Sequence, residues 1–359
     1  MNHILKFSII LIVITACHRE KTDFIGPAYI SAPAGFAVTN FTSSSTSINL
    51  FSPVSKVSFN ATFSSTVSWI LTITGQQSGA VSTITGTSNG LSNLEWKGVQ
   101  NNIYFFRKGE NVTVTLSFYG NIYTASSSSI HLLGVPNFPS IGLFSQYGDF
   151  EIPSQVLPYY ATPNNHYSSF WASFNFPDSI PHMAQGIDSA AVDYNGNKVH
   201  SVQGLYYYYI KGLGNQSSYV SGLQYYGALI PSSSTLPADP SQVWVNMYIY
   251  GTGDANNSVD LEYQEADAGH TTYTANQDDA WVAHLTLDHK GWKLFSIKYS
   301  DLVITSNTLF GGSGNHVMEP NRIASWDIVL IKKSNPNSPV EVYFDYPIIT
   351  KGGPFIPYK

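Results

Sequence analysis

Val243-Trp244-Val245-Asn246-Met247-Tyr248-Ile249-Tyr250 is the stretch on which the fold turns. Its odd positions are Val, Val, Met and Ile; its even positions are Trp, Asn, Tyr and Tyr. Successive side chains of a β-strand point to opposite faces. One face is therefore apolar and must enter a core, while the other carries groups that both stack and hydrogen-bond. Gly251-Thr252-Gly253-Asp254 ends the strand in a turn. A second strand follows, with Val259, Leu261 and Tyr263 on one side and Asp260, Glu262 and Gln264 on the other. Paired as a hairpin, the two would join Trp244, Asn246, Tyr248 and Tyr250 to Asp260 and Glu262 on one surface. Aromatic faces stack on the C–H faces of sugar rings, and carboxylates and amides bond the hydroxyls. The competing reading is an outer face covered by another element, with the tyrosines serving as plain strand formers.

The same short alternation recurs along the whole chain. Val112, Val114, Leu116 and Phe118 alternate with Thr113, Thr115 and Ser117, the pattern of a half-buried sandwich strand. Trp69 and Trp96 are large core candidates in the same region. Gly, Pro, Asn and Ser separate the runs, and no long segment has a helical period, which indicates an all-β protein. Charged residues make up 11% of the 359, against an average of about 25%. Aromatic residues make up 14%, with 24 tyrosines, so the chain has ample apolar mass for a core. A net charge of -6 without a basic cluster excludes a nucleic-acid partner.

The N-terminus divides from the rest. Met1-Asn2-His3-Ile4-Leu5-Lys6, an apolar run from Phe7 to Ile14 and then Thr15-Ala16-Cys17 form a secretory signal pattern. Ile14-Thr15-Ala16-Cys17 resembles the bacterial lipobox, in which the cysteine is acylated and becomes the first residue of the mature chain. Cys17 is the only cysteine, so thiol-based metal or redox sites and intrachain disulfides are excluded. No later apolar stretch is long enough to span a bilayer, which leaves the lipid as the anchor. His18 follows, not the aspartate of inner-membrane retention, so the expected location is the outer membrane, with the protein lipid-anchored and exposed at the cell surface. The organisation expected is a signal peptide over 1–16, a tether over 17–33, an immunoglobulin-like sandwich over 34–136 and a second domain over 137–359. Val135-Pro136-Asn137-Phe138-Pro139 is the connector.

The second domain carries a resemblance. Gly291-Trp292-Lys293-Leu294-Phe295-Ser296-Ile297-Lys298-Tyr299-Ser300-Asp301-Leu302 resembles a characteristic strand of family 11 carbohydrate-binding modules. Ile323 to Leu330 and Val340 to Ile349 are similar to the closing strand pair of such β-jelly rolls, and Gly148-Asp149-Phe150-Glu151 resembles their opening. The stretch from Ile152 to His200 and the glycine-rich loop from Asn307 to Pro320 are longer than in that family, so its β-glucan ligand is not carried over. The resemblance implies that Asp327 faces a ligand groove. It also implies that Asp149, Glu151 and Asp345 bring the first and last strands together around a structural Ca2+, for which hard oxygen ligands suit.

Other constellations do not form sites. His270, His284, His289 and His316 lack the short spacing of a zinc site. Glu262 and Glu265 are three apart on one strand and so point to opposite faces, which argues against a glycosidase pair. The expected glycan-binding set is Trp244, Asn246, Tyr248, Tyr250, Asp260, Glu262 and Asp327. With the resemblance, the whole implies a non-catalytic surface polysaccharide-binding lipoprotein of a glycan utilisation system, partnered by an outer-membrane glycan transporter and surface enzymes. A jelly-roll lyase or hydrolase, or a protein-binding adhesin, are the alternatives.

Overall fold

A computed structural model describes residues 29–50, 54–120, 124–126, 129–134, 150–151, 156–158, 170–175, 183–213, 219–226, 236–267, 269–304, 314–332 and 339–357. Cys17, Asp149 and the connector over 135–139 lie outside the described residues. Among those described, no helix is long and apolar enough to cross a membrane.

The N-terminal unit comprises β1 (Val38–Ser43), β2 (Ser47–Asn49), β3 (Val57–Gly75), β4 (Val81–Trp96), β5 (Asn111–Phe118), β6 (Thr124–Ser126) and β7 (Ile130–Gly134). Hydrogen bonding joins them in one sheet, in the order β1-β3-β5-β7-β2, with β4 on β3 and β6 on β5. The long β3–β4 hairpin closes this sheet into a sandwich. Its register breaks between Thr62 and Val67, so the first half of β3 pairs with β1 and the second half with β5. Val112, Val114, Leu116 and Phe118 are buried as their alternation predicts, and so are Trp69 and Trp96. The Trp69 indole N–H donates to Ser88 Oγ at 2.9 Å, and Trp96 meets the edge of Phe106.

The second unit holds β8 (Val156–Pro158), β9 (Phe170–Asn175), β10 (Met183–Asp188), β11 (Tyr207–Leu213), β12 (Tyr219–Tyr226), β13 (Val243–Thr252), β14 (Asn257–Glu265), β15 (Ala280–Thr286), β16 (Lys290–Lys298), β17 (Val303–Ile304), β18 (Ile323–Lys332) and β19 (Pro339–Lys351). Five strands form one sheet in the order β10-β11-β19-β13-β16, and seven form the other in the order β17-β15-β14-β18-β12-β9-β8. The two sheets face each other across one core, the jelly-roll arrangement. Val243, Val245, Met247 and Ile249 of β13 meet Val259, Leu261 and Tyr263 of β14 and Trp326, Ile328 and Leu330 of β18 there.

The expected hairpin between β13 and β14 does not form. β13 lies between β19 and β16, whereas β14 lies between β18 and β15. The turn after β13, with Gly253 at φ 86° and Asp254 Oδ1 accepting from the Asn256 amide at 3.0 Å, carries the chain from one sheet to the other. The polar faces of the two strands therefore look out on opposite sides of the sandwich.

Candidate functional site

The even face of β13 is covered, which corrects the expectation of an exposed aromatic platform. Tyr248 is 1% exposed, Tyr250 is 8% exposed and Asn246 is buried; Trp244 is half-buried. Tyr248 and Tyr250 belong to a second apolar cluster on the outside of the five-stranded sheet, with Tyr207, Trp292, Tyr343 and Phe355, and it includes Phe105 of the N-terminal sandwich. The Phe105 ring meets Tyr248 edge-on at 6.1 Å between centroids. Tyr250 packs edge-on against Trp292 and Tyr343, and its hydroxyl donates to Asp193 Oδ2 at 2.8 Å. Asn246 acts as a clip: its amide donates to the Ile348 carbonyl, and its carbonyl accepts from the Phe355 amide. These side chains hold the N-terminal sandwich, the 191–204 segment and the C-terminal segment onto the sheet.

The carboxylates lie on the other side of the molecule. Asp260 and Glu262 of β14 and Asp327 of β18 share the outer face of the seven-stranded sheet, as their period-two spacing predicts. Glu262 stands directly opposite Asp327, and Asp260 opposite His284 of β15. Side chains so opposed have Cβ atoms about 4.5–5.5 Å apart. His284 Nδ1 donates to Asp260 Oδ1 at 2.7 Å, and Gln264 Nε2 donates to Asp327 Oδ2 at 3.0 Å. Gln224 of β12 extends the row, its Nε2 lying 3.4 Å from both Gln264 Oε1 and Ser325 Oγ. Glu262 is 4% and Asp327 2% exposed. Glu262 Oε2 and Asp327 Oδ1 have no hydrogen-bond partner among the described residues. The open members at the rim are His284, with 59% of its side chain exposed, and the half-buried Tyr273, in electrostatic contact with both acids.

Burial decides the protonation of this face. Desolvation and the neighbouring Asp260 raise the Glu262 carboxyl from 4.5 to about 7. Burial, then the charge of Glu262, holds Asp327 well above its ordinary value. Two like acids in adjacent register cannot both ionise cheaply, so the pair retains a proton near neutrality. Sequence reasoning omitted Gln224, Gln264, Ser325 and His284 from the site. Gln264 was legible from its alternation with Glu262. His284 was not, because a lone histidine within a strand gives no sign of the strand it will oppose.

Glu265 points the other way, as its spacing from Glu262 predicts. It accepts from the Trp281 indole at 2.9 Å, the Tyr299 hydroxyl at 2.8 Å and the Glu319 amide at 2.8 Å. At the same end Asp278 and Asp279 pin loops. Asp278 accepts from the Asp267 and Thr274 amides and from His270 Nδ1, and Asp279 from the Gly314 and His316 amides. Among the described residues no three of His, Cys, Asp and Glu are grouped to hold a metal ion.

Glu151 and Asp345 do come together, as the resemblance implies, but their surroundings do not fit calcium. Glu151 accepts from the Leu205 amide at 2.9 Å and the Tyr206 amide at 3.0 Å. Asp345 Oδ2 accepts from the Val202 amide at 2.6 Å and the Gln203 amide at 3.0 Å. Amide hydrogens occupy most of the directions a cation would need; among the described residues of this corner, Asp345 Oδ1 and Gln203 Oε1 are left buried without a partner. Gly204 (φ 65°) lets the loop pass over Glu151, since a Cβ there would stand 2.1 Å from the carboxylate carbon.

No family model matches the sequence, and no curated protein matches it. Among solved structures the chain is similar to a family 11 carbohydrate-binding module of a cellulosomal cellulase of Clostridium thermocellum. That likeness has 13% identity, covers 51% of this chain and 88% of that one, and has a TM-score of 0.33. A family 11 module from the same organism, in complex with a β-1,3-1,4-mixed-linked tetrasaccharide, gives 16%, 51%, 88% and 0.33. A structure described under promiscuous specificity of carbohydrate-binding modules of the β-sandwich superfamily has 9% identity, covers 88% of this chain and 98% of that one, and has a TM-score of 0.33.

Proposed function

We propose that this protein is a non-catalytic polysaccharide-binding lipoprotein of the cell surface, working in a glycan utilisation system, and that it binds on the outer face of the seven-stranded sheet. One observation carries the binding face: seven polar side chains from four adjacent strands (Gln224, Ser325, Asp327, Asp260, Glu262, Gln264 and His284) face away from the core, and two of their carboxylate oxygens lack partners among the described residues. A buried oxygen without a donor is costly, and a sugar hydroxyl is a donor. This face also looks away from the N-terminal sandwich, which sits on the other sheet through Phe105. A chain anchored at its N-terminus would thus turn the polar face outward, toward polymer and toward surface enzymes and a transporter.

Electrophoresis of the purified protein through gels that each contain one polysaccharide tests this reading. Wild type and Trp244→Ala are expected to be retarded alike by at least one polymer. Loss of charge-assisted bonds in Asp260→Ala and His284→Ala should weaken retention about tenfold or more. No retardation by any polymer, or retention that ignores both substitutions, overturns it.

One observation favours a second reading, a glycoside hydrolase. A carboxyl raised to about 7 beside a second carboxyl has the pairing that acid catalysis on sugars uses. New reducing ends after incubation with the retarding polymer would establish that reading instead.

The anchor rests on the Thr15-Ala16-Cys17 pattern. Cys17→Ala is expected to abolish lipid labelling and to move the protein from the outer-membrane fraction to the soluble fraction. A variant that stays acylated and membrane-bound refutes the anchor.

A further inference from the structure

The corner where β19 meets the start of the second domain gathers negative charge away from the polar face. Asp345 is wholly buried there, and Glu151 is half-buried beside it. Such a pair needs positive charge around it. The 201–206 loop supplies part as two pairs of inward amides, those of Val202 and Gln203 on Asp345 and of Leu205 and Tyr206 on Glu151, the kind of nest that holds anions.

The remainder comes from the other sandwich. Arg107, half-buried, lies in electrostatic contact with Glu151, Asp345 and Glu110. Its Nη2 donates to Ser201 Oγ at 2.9 Å, and Ser201 Oγ donates in turn to the Gly204 carbonyl at 2.9 Å. Two residues earlier, the Phe105 amide donates to the Val202 carbonyl at 2.9 Å. The turn that presents Arg107 is itself fixed. Buried Glu110 accepts from the Arg107 amide at 2.6 Å and from the Gln77 and Ser78 amides at 3.0 Å each. A cleft of about 260 Å³, lined by Arg107, Lys108, Glu151, Gln203 and Leu205 among others, opens beside these contacts. The guanidinium is therefore not sealed in, and it can keep its charge.

The geometry points to Arg107 as the cation of this corner: the N-terminal sandwich places it beside the acids where calcium was expected, tied to their loop through Ser201, so the two sandwiches form one metal-independent unit. The N-terminal domain then supplies the counter-charge its neighbour lacks. A loop held from outside its own domain, by the Arg107 guanidinium and the Phe105 amide, loosens when that domain lets go.

The test uses the full mature chain. Its thermal transition is followed in excess chelator and in excess calcium chloride, and amide hydrogen exchange is measured over residues 201–206. Wild type is expected to melt in one transition that neither additive moves. Arg107→Met is expected to exchange the loop amides about tenfold faster and to melt in two steps. If Arg107→Met does not fold, Arg107→Lys, which keeps the charge but cannot reproduce the planar guanidinium's bond to Ser201, is expected to speed loop exchange by a smaller factor. A wild-type transition that falls in chelator or rises with calcium overturns the proposal. So does a loop whose exchange ignores both substitutions.

Discussion

Replacing Phe105 with alanine is expected to cost about 3–5 kcal/mol of unfolding free energy, the range for a buried phenylalanine truncated to a methyl group. Phe105 belongs to the N-terminal half of the chain, yet its ring is 5% exposed against residues of the second domain. Tyr346 lies at 5.5 Å, Tyr248 at 6.1 Å and Phe355 at 6.2 Å between centroids. Removing the ring leaves a void among aromatic side chains that cannot all collapse into it, because Tyr250 is held by Asp193 and Asn246 is clipped to Phe355. Urea unfolding followed by tyrosine and tryptophan fluorescence gives the number. Leu133→Ala, at a site 52% exposed on the same sandwich, is the control and should cost little. A loss below about 1 kcal/mol for Phe105→Ala would mean that the aromatic cluster is an incidental contact rather than a shared core.

That same cluster shows what the sequence does and does not disclose. The alternation in Val243 to Tyr250 correctly sends Val245 and Met247 inward, because the odd face of this strand is wholly apolar. It is silent on what covers the other face. A row of Trp, Asn, Tyr and Tyr suits a sugar and suits a second layer of protein equally, since each aromatic offers a large apolar body with a polar tip. The distant Phe105 decided the matter, and nothing in its own neighbourhood marks it as reaching another domain.

Asp260, Glu262 and Asp327 were found together for a different reason. The first two share a face by the period of their strand, and the third stands opposite Glu262 by strand register. Their separation from Tyr248 and Tyr250 was not legible, because the four-residue connection between the strands serves a hairpin or a crossing between sheets alike. The choice falls to long-range pairing: β19 and β16 occupy both edges of β13, and no edge is left for β14. Two of the three acids expected around calcium, Glu151 and Asp345, lie close together, and Asp149 is outside the described residues. Their partners, the 201–206 amides and Arg107, are backbone and a distant side chain, neither of which a short motif can announce.

Glu262→Gln is expected to stabilise the protein above neutral pH while weakening its hold on polysaccharide. Burial raises the Glu262 carboxyl from 4.5 to about 7, so between those values the folded chain keeps a proton that the unfolded chain gives up. Stability from this group is fully present below about pH 4.5 and is lost as pH rises through about 7. The full difference corresponds to about 3 kcal/mol. Glutamine cannot ionise, so the variant should match wild type near pH 4 and exceed it by about 2–3 kcal/mol near pH 8. Some slope will remain, because Glu265, raised to about 7 mainly by burial, titrates in the same window on the core side. Asp327 opposes any larger gain: it loses the like charge across the strands but stays buried. Urea unfolding at the two pH values, with gel retardation on the same samples, reads both halves. If the variant is no more stable than wild type at the higher pH, Glu262 carries no buried charge there. If stability rises and retention is unchanged, the carboxylate is a cost without a ligand, and the polar face loses its claim to bind sugar. A group that destabilises the fold at neutral pH, yet is the one that holds the ligand, is what a binding site on an otherwise closed sheet requires.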